Sequence, residues 1–431
     1  MNIINKINEI IWGFPVLILM LGGGIYLTFR LKFIQARPVS IFRKTILTLR
    51  KGKGSQGSDL SQFQAFSTSL AATVGTGSIV GVGAAICTGG SGAVFWMWVS
   101  AFFGMALSYC ENYLGVKYGK NSKICGAMSY LEKAGKGRIL ACMYAAFSIP
   151  ASLGMGNMTQ ANSVISAAKE GFSIPPHIAA VIMLFFTAFT VAGSKRPAKL
   201  CERLVPFMAL FFIAGSLVIL MKAPCETGRQ LCSIVKNAFS IKAIAGGSLG
   251  AFVSQVIIQG LKRGAFSNEA GLGSTVAVHS SCENQSEDTQ GSWGMAEVFI
   301  DTMIICTLTA LVILVSGISP DQPDIAVKAY CAGLGDVGKI FMSLSLIMFA
   351  LATLVGWFFI GEKSWNYLFP KGKCIYKIIY ITAVYIGSVQ SLDIVLGISD
   401  LFNGLMAIPN LIGVLILSKE IKPKSHRRHD G

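Results

Sequence analysis

Apolar residues in this chain gather into long blocks rather than alternating or marking one face. Eleven blocks reach spanning length, at about 10–29, 62–88, 92–116, 139–165, 176–193, 204–222, 246–280, 293–316, 338–360, 375–391 and 396–418. Backbone polar groups in lipid must pair within their own segment. Nothing alternates with period two as a barrel strand would. The blocks therefore predict an all-α integral membrane protein with eleven transmembrane helices. The first block follows Lys6 and lacks a small-residue cleavage site, which predicts a retained helix rather than a signal peptide.

The polar positions set the topology. The 431 residues carry 37 Lys and Arg against 21 Asp and Glu, a formal net charge of +16. On a soluble protein that excess would point to nucleic acid, but only 13% of this chain is charged and 53% is hydrophobic. Alternate connections are basic: Arg30–Lys53, Lys117–Arg138, Lys195–Arg203, Lys363–Lys377 and the tail from Lys419 to Arg428 hold 27 Lys and Arg, and the opposite side holds 8. Lys262 and Arg263 lie within the seventh block. Positive charge marks the cytoplasmic side, so the N-terminus is expected outside and the C-terminus in the cytoplasm of a multi-pass cell (inner) membrane protein.

Two blocks contain stretches unsuited to regular helix. Thr73-Val74-Gly75-Thr76-Gly77-Ser78 interrupts the second, and Gly264 through Ser274 interrupts the seventh with Asn268 and Glu269 at membrane depth. Clustered Gly and polar residues free backbone groups, which survive there only inside protein or beside a polar cavity. Close packing of small residues is the competing explanation. Gly75-Thr76-Gly77-Ser78 also aligns with Gly271-Leu272-Gly273-Ser274, five blocks apart, so the two runs have opposite directions. Paired interrupted helices in two inverted halves point to a secondary transporter's site. The expected units are 1–61 (an extra helix and basic loop), 62–222 and 223–418 (the two inverted repeats), and the basic tail 419–431.

Other chemistries find little support. Gly75-x-Gly77 lacks the βαβ setting of a dinucleotide site, and no phosphate-binding GKS or GKT loop occurs, so neither nucleotide nor nucleic acid is expected as a partner. The eleven Cys form no CxxC pair, His279 and Cys282 have no further ligands nearby in sequence, and the four His do not cluster. A catalytic dyad for an intramembrane enzyme is lacking, and a channel would repeat a pore loop around an axis.

Residues 64–77 (QAFSTSLAATVGTG), 92–98 (GAVFWMW), 156–162 (GNMTQAN), 266–274 (FSNEAGLGS), 299–302 (FIDT), Gly356-Trp357 and Gly361-Glu362-Lys363 closely resemble the alanine or glycine:cation symporter family. The resemblance spans nearly the whole chain and departs at Ser78, where the family usually has Asn. It implies a LeuT-type 5+5 inverted repeat with an extra N-terminal helix. It also implies uptake of small neutral amino acids coupled to sodium, with a proton or a larger substrate such as glutamine as alternatives.

A zwitterion cannot enter a low-dielectric core unpaired, but half-helix ends offer free N–H groups to its carboxylate and carbonyls to its ammonium and to a cation. By resemblance and depth, Thr76 and Gly77 are expected at the carboxylate, with Ser78 beside them. Phe266 and Asn268 are expected to face the substrate from the second break, with Gln160 lining the cavity and Trp357 closing it. Asn157 and Asn162, near Gln160, have interhelical hydrogen bonding as a competing role. The resemblance places Na+, the co-transported ion, among the carbonyls of Ala72 and Gly75 and the Thr353 hydroxyl, hard oxygen donors that suit it. Arg263, Glu269 and Asp301 are the ionisable residues deepest in the bundle, expected as a structural ion-pair cluster or as a gate or proton site.

Overall fold

The computed structural model describes residues 2–36, 61–120, 122, 124–135, 137–193, 196–239, 249–282, 286–320 and 324–423. Arg37 to Lys53, Lys123, Lys136, Lys195, Lys242, Lys424, Arg427, Arg428, His426 and His429 lie outside the described residues. Everything regular among the described residues is helical. The helices that frame the site are α1 (Phe14–Arg30), α2 (Gln62–Thr73), α3 (Val80–Gly89), α4 (Gly92–Gly119), α5 (Gly137–Leu153) and α6 (Thr159–Phe172). They continue with α7 (Pro176–Ala192), α8 (Arg196–Lys222), α9 (Leu249–Asn268), α10 (Val276–His279) and α11 (Glu287–Val298). The series ends with α12 (Thr307–Val315), α13 (Asp336–Leu368), α14 (Lys373–Val389) and α15 (Leu392–Leu417).

Among the described residues, seven helices are long and apolar enough to cross a membrane, or eight when the bent pair α2–α3 is one span. Pro176–Ala192, Ile325–Leu334 and Cys374–Val389 are shorter apolar helices. Outward side chains such as Phe185, Leu210, Met221 and Ile378 are two-thirds exposed or more, the surface a lipid-facing belt requires.

Helix α4 runs through the middle of one half and packs along α1, α9 and α11, whereas α13 packs along α2, α6 and α8. Two apolar cores follow from this. One gathers Phe212, Tyr330, Phe349 and Tyr380 around α8, α13 and α14, and the other gathers Tyr109, Tyr130, Tyr144 and Trp357 around α1, α4, α5 and α15. Helix α2 lies on the seam, with Leu70, Ala71 and Val74 in the first core and Ala72 in the second. The broken helices cross so that α9 packs on α3 and α10 packs on α2.

Candidate functional site

The first break is short. Ser61 and Gln64 form a reciprocal capping box that starts α2. The helix ends at Thr73, Val74 and Gly75 are extended, and Thr76–Ser78 makes one 3-10 turn before α3, with a 55° bend. Gly75 is required by proximity: a Cβ there would sit 2.6 Å from Thr353 Oγ1. The Thr353 hydroxyl lies 3.5 Å from the Val74 carbonyl, while the Gly75 carbonyl accepts the Ser78 N–H. Thr353 therefore faces the unwound backbone at Val74–Gly75, which begins two residues beyond Ala72.

The second break is longer and tighter. Glu269, Gly271 and Gly273 all have positive φ (56°, 87° and 69°), and α10 resumes only at Val276. Gly264 to Asn268, expected to be unwound, are helical instead. Gly260 and Gly264 are there for close approach to α4, since a Cβ would meet the Ala93 carbonyl at 2.4 Å and Ser100 Cβ at 3.0 Å. Asn268 ends the helix: its Oδ1 accepts the Ala270 N–H and its Nδ2 donates to Thr302 Oγ1 at 3.2 Å.

Side chains stitch the breaks to each other and to two π-helical turns, Gly154–Met158 and Phe299–Cys306, a local geometry that recurs at functional sites. Thr76 Oγ1 donates to Gln160 Oε1 (3.0 Å), and Gln160 Nε2 donates to the Met155 carbonyl that the first π turn frees. Ser78 Oγ donates to Asp301 Oδ1 and lies 3.1 Å from Ser267 Oγ, which donates to Asp301 Oδ2 at 2.7 Å. The Phe266 ring lies in van der Waals reach of Gly77. Thus Thr76, Gly77, Ser78, Gln160 and Phe266 come together, while Asn268, two residues beyond Phe266, bonds Thr302 instead. Trp357 is fully buried beside Gly156 and its indole donates to Glu269 Oε1 at 2.8 Å.

Arg263, Glu269 and Asp301 do not pair with one another. Glu269 is held by Trp357 and Ser274, Asp301 by Ser78, Ser267 and Thr302, and the Arg263 guanidinium lies over the Phe266 ring. The left-handed turn at Glu269 swings its carboxylate off the helix that carries Arg263. Lys262, beside Arg263, instead pairs with Asp400 at 2.7 Å. Asn157 and Asn162 serve packing, donating to the Tyr380 carbonyl and to the Gly387 and Gln390 carbonyls of α14. Two buried polar groups escaped sequence reasoning. Asn410 Nδ2 joins Glu111 to the Gly271 carbonyl, and His279 meets both Gln290 and Glu297. Ionisable residues inside apolar blocks were the available signal.

Two interrupted helices, the first break packed against the last helical turn before the second, inside a bundle of apolar helices, make the architecture of a membrane transporter. The fold is similar to that of MhsT in a complex with L-phenylalanine, with a TM-score of 0.61, 14% identity and coverage of 86% of this chain and 91% of that one. The chain is 39% identical to the sodium/alanine symporter AgcS of Methanococcus maripaludis, over 97% of its own length and 94% of that protein. It is 34% identical to the probable sodium/glutamine symporter GlnT of Bacillus subtilis, over 97% and 89% of the two chains. The profile of the Sodium:alanine symporter family matches residues 1–427, and the chain belongs to that family.

Proposed function

We propose that this protein carries small neutral amino acids, alanine and glycine, into the cell together with Na+ by alternating access. The observation that carries this reading is the meeting of unwound Val74–Ser78 with the Gln160 amide and Phe266 at one buried point. There the Thr76 and Gly77 N–H groups take the solute's carboxylate, with Ser78 completing the turn. Gln160 and Asn268 supply polar contacts, Phe266 the apolar wall, and Trp357 fixes the second break through Glu269. Na+ sits between the Thr353 hydroxyl and the carbonyls of Ala72 and Gly75, hard oxygen donors of the kind it takes, and the approach of Thr353 to the Val74 carbonyl supports this. Eleven spans in a LeuT-type 5+5 inverted repeat after an extra helix, with repeats over 62–222 and 223–418, fit this reading. So does an outside N-terminus with basic loops, including 1–61 and the 419–431 tail, in the cytoplasm.

Coupling suffices energetically. One Na+ moving down 100 mV releases about 2.3 kcal/mol and a tenfold gradient about 1.4 kcal/mol more, together about 3.7 kcal/mol. That supports accumulation of a net-neutral solute by roughly several hundredfold. The test is uptake of labelled alanine, glycine and glutamine into proteoliposomes with and without an imposed sodium gradient. Alanine and glycine uptake that collapses without sodium supports the proposal. Preference for glutamine replaces the substrate, and uptake driven equally by a proton gradient alone replaces the ion.

A further inference from the structure

Away from the two breaks' junction, one wholly buried polar cluster ties together α2, α10 and α11. His279, at the end of α10, is fully enclosed, with Nε2 3.0 Å from Glu297 Oε1 and Nδ1 2.5 Å from Gln290 Oε1. Glu297 Oε2 accepts the Ser69 hydroxyl of α2 at 2.8 Å. Ser69, Gln290 and Glu297 are each at most 1% exposed, and the Gln290 amide nitrogen has no partner.

Both ring nitrogens of His279 thus face oxygens, and only the imidazolium can donate to both. Losing the proton leaves one nitrogen as an acceptor facing an acceptor. The Gln290 amide relieves that conflict by turning over, so that its unpartnered nitrogen donates to Nδ1. The pair therefore has two hydrogen-bonded arrangements that differ by one proton, with the charged one stronger because it is a charge-assisted pair in a dry site.

The surroundings leave Glu297 as the charge His279 answers to. Helix α2 carries no titratable side chain. Helix α4 brings Glu111, which Asn410 holds, and Tyr109, which bonds Asp288 of α11. In α13, Lys363 lies over the Phe359 ring and Glu362 precedes it. Helix α8, whose Ala198 packs on Val278 and Cys282, carries Lys199, Arg203 and Glu202, and Glu202 accepts from Gln64, while Glu269 and Asp301 have their own donors.

We propose that His279 and Glu297 form a proton-binding site that latches one half of each broken helix, α2 through Ser69 and α10 through His279. Protonation tightens the latch and deprotonation loosens it. The site gates movement of these halves whatever solute the chain carries. The proton is bound and released there without being co-transported.

The test uses the full chain in lipid nanodiscs. Amide hydrogen exchange over 62–73 and 276–282 is compared between wild type and His279→Gln at matched pH, which cancels the intrinsic pH dependence of exchange. Exchange about tenfold faster in His279→Gln at pH 6 and within about twofold of wild type at pH 8.5 is expected, tenfold being the effect of one pH unit of proton linkage. An equal ratio at both pH values overturns the proposal. Should His279→Gln not insert, histidine 15N shifts of wild type and Ser69→Ala decide it. An imidazolium at pH 6 that becomes neutral by pH 8.5, with only the 62–73 segment loosened in Ser69→Ala, upholds the latch. A histidine neutral from pH 5 to pH 9 ends it.

Discussion

The two breaks are built unlike each other. At Val74–Gly75 the backbone is extended over two residues, and the Thr353 hydroxyl lies 3.5 Å from the Val74 carbonyl. At Glu269–Thr275 three residues adopt left-handed φ, and Trp357, Ser274 and Asn410 hold the turn with hydrogen bonds between 2.5 and 2.9 Å. Buried side chains hold both breaks, but at the first they bond Thr76 and Ser78 and leave the extended pair Val74–Gly75 with one long hydroxyl contact. If the proposed function holds, ligand capture falls to the first break and scaffolding to the second, a division of labour between two stretches that share a sequence pattern.

Substitutions at matched glycines should separate the two roles most sharply. Gly75→Ala forces a Cβ against Thr353. Because a misplacement of about 1 Å at a reacting site costs about a hundredfold, alanine uptake should fall by about that factor. Its thermal midpoint should stay within a few degrees of wild type. Gly273→Ala should do the reverse in kind, because its φ of +69° and the Asn410 side chain 2.5 Å from a Cβ both oppose it. The left-handed conformation alone costs about 1–2 kcal/mol, so a lowered unfolding midpoint in detergent should be the main effect.

Thr353→Ala sharpens the assignment at the first break. The half-saturating sodium concentration should rise about tenfold, equivalent to about 1.4 kcal/mol, while selectivity among amino acids holds, and Thr353→Ser should restore it. An unchanged sodium curve removes Thr353 from the ion site. The smallest effect is expected at Asn157→Ala, which deletes one bond to the Tyr380 carbonyl. Such interhelical bonds average about 0.6 kcal/mol, so stability should slip slightly and half-saturating alanine should not move.

How much of this was legible beforehand differs by feature. The first break was visible because Gly75, Gly77 and three hydroxyl residues fall inside an otherwise apolar run, a combination a helix in lipid tolerates poorly. The extent of the second was not. Gly264 carries the same local signal as Gly271, yet one glycine serves a helix–helix contact with Ser100 and the other a left-handed turn. Only the position of α4 distinguishes them. Partners distant in sequence were equally hidden: Glu111 with Asn410, Lys262 with Asp400 and His279 with Glu297 depend on which helices lie side by side. Arg263, Glu269 and Asp301 seemed destined to pair by depth alone, and the turn at Glu269 sends them to three separate sets of partners.

In the proposed function, solute and sodium bind together at the unwound backbone beside Thr353. Equilibrium binding of labelled alanine to the purified protein, in sodium and in potassium, for wild type and Gly75→Ala, tests it most directly. Saturable binding by wild type that requires sodium and is lost in Gly75→Ala is expected. Binding indifferent to the cation, or undiminished in Gly75→Ala, would contradict it.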